Sequence, residues 1–194
     1  MKKVEHGKTF DRNAANPPAF EIFHNTVTEG YPKHWHTAIE IIMPTRGEYE
    51  VVVGKDSYNL KEGDIIMINS GVVHGMRFVS QGERIVMLVE PGCVENQEEM
   101  ETIFLRLPAI YFKKEDEEDP FYLFLRSQIL ELVREYDNEG AVMTHRICTG
   151  LKELFSEFGR KGFSDANAQN TFGAMKQQEY ICLLYTSPSP RDRS

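Results

Sequence analysis

His34, His36, Glu40 and His74 are the residues of this chain best suited to chemistry. The first three stand in H-W-H-T-A-I-E, and the fourth closes G-D-I-I-M-I-N-S-G-V-V-H. Three imidazoles and a carboxylate form a ligand set for a borderline divalent metal such as Zn, Ni, Mn or Fe, with positions left over for water or a ligand. His34, His36 and Glu40 are separated by even numbers, so the spacing predicts one extended strand that presents all three on a single face. His74 then has to arrive from a neighbouring strand. Read without a metal, the same four residues line a pocket. The imidazoles would hydrogen-bond a sugar hydroxyl or a backbone group, and Glu40 would pair with Arg46 or Arg77. Glu40 beside a metal could also serve as a general base. No Ser-His-Asp or Cys-His arrangement and no phosphate-cradling glycine loop accompanies them.

Other residues near these four have plainer roles. His6, His24 and His145 stand outside the pattern. Trp35, between two histidines, is expected on the opposite strand face, in the core. Gly47, Gly63 and Gly71 read as turn residues between strands.

The elements that would carry the four residues are strands. From Phe20 to Glu90 the chain alternates short runs rich in β-branched and aromatic residues with turn signals. F-E-I-F-H-N-T-V and A-I-E-I-I-M-P are two such runs, and G-K-D between E-Y-E-V-V-V and S-Y-N-L predicts a hairpin. K-E-G-D-I-I-M-I-N-S-G reads as a turn, a buried strand and another turn. Strands at this frequency predict a small antiparallel barrel or sandwich. After Pro91 the pattern changes. Residues 98–107 suit a short helix, and the charged run 113–119 suits a solvated connection. Asp119-Pro120 then reads as an N-cap with proline at the first helical position. Phe121, Phe124, Leu125, Ile129, Leu132, Val133 and Tyr136 recur at helical spacing, as do Met143, Ile147, Leu151, Leu154, Phe155 and Phe158. These two stripes predict a helical hairpin, and they are the best candidates for a dimer surface. The expected organisation is an arm (1–19), a barrel (20–92), a helical dimerisation region (93–163), and a linker with the start of a helix (164–181). Residues 182–194, C-L-L-Y-T-S-P-S-P-R-D-R-S, look like translated sequencing-adapter read-through, so a non-native tail is expected there.

Charge and cysteines narrow the class. Thirty acidic residues against 22 basic ones leave a net charge of −8, a poor match for a phosphate backbone. DNA binding by this chain alone is not expected. The three cysteines Cys93, Cys148 and Cys182 are far apart in sequence, odd in number and free of any C-x-x-C, which suits a reducing, cytoplasmic setting. The N-terminus has charge without an apolar run behind it. No stretch of about 18 apolar residues occurs, so neither a signal peptide nor a membrane span is expected.

The stretch from Gly30 through His34, His36 and Glu40 to Gly47 resembles the first motif of the cupin superfamily. Gly63 through Asn69 and Gly71 to His74 resembles the second. Gly30 lies two residues closer to His34 than the usual pattern has it. Asn69 stands where proline is usual, and Phe78 where the closing Asn is usual. Residues 20–181 resemble, more specifically, the N-terminal part of an AraC-type transcriptional regulator, through H-W-H-T-A-I-E-I-I, L-K-E-G-D-I-I-M-I-N-S-G-V-V-H and the helix pair that follows. The resemblance implies a mainly β fold: a double-stranded β-helix (jelly-roll) barrel followed by an α-helical hairpin. It also implies a small polar effector, often a sugar, bound in a pocket floored by His34, His36, Glu40 and His74. A homodimer is expected, with DNA contacted only through a C-terminal domain that nothing here matches. The alternative is a metal-dependent cupin enzyme, a dioxygenase or a sugar isomerase, using the same four residues.

Overall fold

A computed structural model describes residues 19–27, 29–93, 108–114, 118–138 and 140–161. Residues 1–18 of the expected arm (1–19), the short helix at 98–107, the linker and the terminal tail lie outside the described residues, as do His6 and Cys182. The chain divides into two units, residues 1–161 and 162–194, and every element below belongs to the first.

Among the described residues, nine strands form two antiparallel sheets. The strands are β1 (Phe20–Val27), β2 (Tyr31–His34), β3 (Ile39–Arg46), β4 (Tyr49–Val53), β5 (Asp56–Leu60), β6 (Ile65–Ile68), β7 (His74–Phe78), β8 (Gly82–Val89) and β9 (Ala109–Phe112). One sheet runs β1-β8-β3-β6-β9 and the other β2-β7-β4-β5. The expected hairpin is β4–β5, with Val53 opposite Asp56. Elsewhere the chain mostly switches sheet from one strand to the next, as a double-stranded β-helix requires. Two helices follow, α1 (Pro120–Asp137) and α2 (Met143–Lys161). Asp119 caps α1 as its type predicts: the carboxylate accepts from the Phe121 N–H at 2.9 Å, and Pro120 follows as a pre-set first residue. The β barrel with a C-terminal helical hairpin is the architecture expected from the sequence.

Directly paired residues on antiparallel strands share a face, which sorts the five-stranded sheet into two layers. Glu40 lies opposite Ile68 and Leu88, and these point into the barrel. Ile39, Ile41 and Met43 point outward with Met87, Val89 and Met67, yet all six are at most 2% exposed. Helix α1 supplies the cover. At its start Phe121 meets Phe112 of β9, with ring centroids 5.7 Å apart. At its end Tyr136 meets Phe20 of β1 at 6.2 Å. These are the two edge strands of the sheet. Fifteen helical steps cover roughly 22 Å, and four strand spacings cover roughly 19 Å, so one helix crosses the whole sheet. The Tyr122 hydroxyl pins it by donating to the Gly63 carbonyl at 2.8 Å.

The hairpin is consumed by this packing. Tyr122, Leu125, Ile129 and Leu132 of α1 and Ile147, Leu151, Leu154 and Phe155 of α2 are fully buried within the single chain. Gly150 allows the close approach of the two helices, since a Cβ there would meet Leu132 Cδ2 at 2.9 Å. Much of the α1 stripe picked out from sequence thus packs on the chain's own sheet, and the α2 stripe packs on α1. Leu123 and Leu130 are what α1 leaves exposed.

Two features were not read from the sequence. Ala109–Phe112, in the segment assigned to the helical region, is a strand and pairs with β6. Its anchor is Asp64, which is buried. Asp64 accepts from the backbone N–H of Lys61 (2.9 Å) and Lys114 (2.8 Å) and from the Tyr111 hydroxyl (2.6 Å). The second feature is the approach of Cys93 and Cys148, distant in sequence, whose sulfurs stand 3.5 Å apart as free thiols. Burial, and then the hydrogen bond with Cys148, push the Cys93 thiol up to about 12. The thiolate is the nucleophile, so Cys93 is expected to react with iodoacetamide at pH 8 more than ~10-fold more slowly than free cysteine. Peptide mass spectrometry of a labelling time course reads this directly, and labelling at the free-cysteine rate would contradict it.

Candidate metal centre

The four residues found by sequence converge, though not by the route expected. His34 ends β2 in the four-stranded sheet, His36 lies in the connection, and Glu40 is on β3 in the five-stranded sheet. The expectation of one strand carrying all three is corrected. The reason is arithmetic. Six residues of extended chain span about 20 Å, whereas the ligand atoms of His34, His36, Glu40 and His74 all lie within 4.8 Å of one another. Only a chain that breaks between His34 and Ile39 can fold the three together. His74 does come from a neighbouring strand: it begins β7, directly opposite His34 on β2 and Val53 on β4.

Local bonds hold the break. The His34 Nδ1–H donates to the Pro32 carbonyl at 3.0 Å, and the His36 Nδ1–H donates to the Ala38 carbonyl at 2.9 Å. The Gly71 N–H donates to the His36 carbonyl at 2.7 Å, and Gly71 sits at φ 74°, where a side chain would be strained. Gly47 and Gly63 also have positive φ, in keeping with their reading as turn residues. Asn69, placed where the resemblance has proline, uses a group proline lacks: its N–H donates to the Pro108 carbonyl at 2.9 Å, extending the β6–β9 pairing.

The donor chemistry decides what the site can hold. His74 repeats the pattern of its partners, donating Nδ1–H to the Val72 carbonyl at 2.8 Å. A carbonyl can only accept, so all three rings carry their proton on Nδ1 and, when neutral, present a lone pair at Nε2. His36 Nε2 stands 3.1 Å and His74 Nε2 2.7 Å from the same oxygen, Glu40 Oε2. Lone pairs and a carboxylate gathered this closely repel unless a metal ion joins them or protons on Nε2 turn the contacts into hydrogen bonds to Glu40. A ring fixed through Nδ1 with Nε2 free is also how metal-ligating histidines are oriented. The residues therefore fit a divalent metal. His36, Glu40 and His74 are at most 6% exposed, while His34 is half-buried and marks the side facing solvent. Tyr31 packs on that side, its ring centroid 4.8 Å from that of His34.

The ionisation of the group is strongly shaped by its surroundings. Burial alone would push the Glu40 carboxyl up, but the hydrogen bonds and charges of His36 and His74 hold it well below the usual carboxylate range. Burial pulls the His74 imidazole down, and the Glu40 hydrogen bond and charge outweigh that and raise it. Burial and the nearby His74 lower His34. The alternative partners suggested for Glu40 are engaged elsewhere: Arg46 pairs with Glu83 at 3.0 Å and Arg77 with Glu50 at 3.1 Å. His24 meets Thr45 at 3.3 Å, apart from the site, and His145 is exposed. Trp35 is half-buried in the connection after β2, so the strand-face argument for it does not apply.

Residues 25–90 match the family model of the cupin domain (Cupin_2). The chain carries a cupin domain. The matched segment contains all four ligand residues and all of β2 to β8. No curated protein matches the chain. Among solved structures, it is similar to protein NMB1881 from Neisseria meningitidis at 17% identity, over 39% of this chain and 78% of that one, with a TM-score of 0.35. It is similar to a cupin-2 domain containing protein from Shewanella frigidimarina at 16% identity, over 39% of this chain and 76% of that one, TM-score 0.35. It is also similar to the DMSP lyase DddQ from Ruegeria pomeroyi at 24% identity, over 40% of this chain and 41% of that one, TM-score 0.35. Among the described residues of the cupin domain and its hairpin, no helix is long and apolar enough to cross a membrane.

Proposed function

We propose that the cupin barrel holds a divalent metal, Zn, Ni, Mn or Fe, on His34, His36, Glu40 and His74. In this reading it binds a small polar molecule beside the metal, as the sensor module of an AraC-type regulator. The observation that carries the metal is the meeting of His36 and His74 Nε2 on one Glu40 oxygen, with every Nδ1 committed to a backbone carbonyl. Held by His34, His36, Glu40 and His74, such an ion would supply Lewis-acid polarisation of an oxygen donor of the ligand. The burial of His36, Glu40 and His74 limits water at the site. The regulatory part rests on the likeness of the two histidine motifs and of the helix pair after the barrel. It entails a homodimer, with DNA contacted through a domain outside residues 1–194. A metal-dependent enzyme, a dioxygenase or sugar isomerase, is the second reading. The half-buried His34 favours it, because a catalytic metal keeps one exchangeable position.

Elemental analysis of tag-free protein, reconstituted in turn with each metal, is expected to give about one ion per chain, and a thermal-shift screen is expected to find ligands whose effect depends on that metal. No uptake of any of the four metals would remove the centre. Turnover of a bound ligand that stops on chelation would replace the sensor with the enzyme.

A further inference from the structure

Cys93 and Cys148 take no part in the metal centre, and the fold brings them together from 55 residues apart. Cys93 closes a single 3-10 turn, Pro91–Cys93, directly after β8, and its N–H donates to the Glu90 carbonyl at 2.9 Å. That turn is anchored on both sides. The Glu90 N–H donates to the Ala19 carbonyl at 2.9 Å, and the Glu90 carboxylate accepts from the Thr37 hydroxyl at 3.1 Å. Cys148 lies on α2, next to the fully buried Ile147. Both cysteines are half-buried, so neither is sealed in the core. Their sulfurs stand 3.5 Å apart, against about 2.05 Å in a disulfide, so an approach of roughly 1.5 Å would close the bond.

A second observation gives the pair a structural consequence. α2 packs chiefly on α1 and not on a strand of the barrel. It is held from one side, whereas a bond from Cys148 to Cys93 would also tie it to the end of β8. The bond would join residues far apart in sequence, where a cross-link removes the most freedom from the unfolded chain. Lys152, one helical turn after Cys148, places a positive charge near Cys93. Such a charge favours the thiolate, the form that exchanges with disulfides.

We propose that Cys93 and Cys148 form a reversible disulfide that fastens α2 to the barrel in response to small disulfides of the glutathione class. The Cys148 thiolate attacks one sulfur of the small disulfide, breaks its S–S bond and releases one small thiolate. Cys93 then gives up its proton and attacks the Cys148 sulfur, releasing the second. Two protein thiols are oxidised by two electrons, one small disulfide is reduced, and the two protein protons end on the two released thiols. Cys148 attacks first because burial and the hydrogen bond with Cys148 hold the proton on Cys93. The proposal does not require the metal.

The test equilibrates full-length protein carrying Cys182→Ser with mixtures of oxidised and reduced glutathione. Trypsin places Cys93 in residues 85–106 and Cys148 in residues 147–152, so the bond is read as one linked pair of peptides. Oxidised protein is expected to carry that linked pair without bound glutathione and to melt roughly 5 °C or more higher. Hydrogen exchange along α2 is expected to slow, and dithiothreitol is expected to reverse every change. In urea-unfolded protein the same bond is expected to need a glutathione couple more than ~10-fold more oxidising, because the fold no longer holds the sulfurs together. Cys93→Ser is expected to stop at a mixed disulfide on Cys148, and Cys148→Ser to show no rise in melting temperature. The proposal is overturned if the two cysteines take up glutathione separately, or if the bond forms as readily in the unfolded chain. It is equally overturned if the bond forms without raising the melting temperature or protecting α2, or if Cys93→Ser takes up no glutathione on Cys148.

Discussion

His74→Ala is expected to lower divalent-metal affinity by more than ~100-fold. Even residues that only orient a metal ligand cost 10–100-fold when removed, and His74 supplies a ligand atom itself. Its ring is 2% exposed and is held between the Val72 carbonyl and Glu40 Oε2, so no neighbouring side chain can swing in to replace it. A competition titration against a chromophoric chelator measures the change. His145→Ala, an exposed substitution on α2, is the control and is expected to change nothing. Affinity in the wild type is also expected to fall as pH drops, because imidazoles must give up a proton to bind metal, and the raised His74 makes the fall begin above the ordinary imidazole range. A His74→Ala protein that binds metal within ~3-fold of wild type would sink the proposed centre.

Asp64→Ala is expected to destabilise the fold by ~3 kcal/mol or more. The carboxylate accepts three hydrogen bonds, two from backbone N–H groups and one from the Tyr111 hydroxyl. Hydrogen bonds to a charged group contribute roughly 1.5–3 kcal/mol each, and a donor left buried and unpaired costs roughly 1–3 kcal/mol. Water reaching the exposed ends of Lys61 and Lys114 offsets part of the loss, which places the expectation at the lower end of the sum. Chemical denaturation gives the number, with hydrogen exchange at Ile110 and Tyr111 reporting whether β9 opens first. Asp64→Asn, which keeps one acceptor oxygen, is expected to lie between alanine and wild type. An Asp64→Ala protein within 1 kcal/mol of wild type (about the worth of a single ordinary hydrogen bond) would show that β9 is held by other means.

The fold was legible where the pattern is local. β4–β5 follows from G-K-D between two strand-like runs, and α1 follows from Asp119-Pro120 and a stripe at helical spacing. The short β9 was not legible, because four residues, A-I-Y-F, carry no period long enough to distinguish a strand from the start of a helix. Its strand character comes from β6, from the Asn69 N–H and from Asp64, none of them nearby in sequence. The destiny of the helical stripes was hidden for the same reason. An apolar face looks the same in sequence whether it meets the chain's own sheet, another helix or a second chain; here the α1 face meets the sheet and α2 meets α1.

Residue type and spacing by themselves pointed to a small antiparallel barrel or sandwich and to His34, His36, Glu40 and His74 as one site, and the resemblance of the two histidine motifs made that barrel a cupin. Side-chain chemistry and short-range turn signals survive any rearrangement of the strands. Only the tertiary structure decided how the four meet: two sheets and the connection between them bring together ligand atoms that a single strand would hold about 20 Å apart.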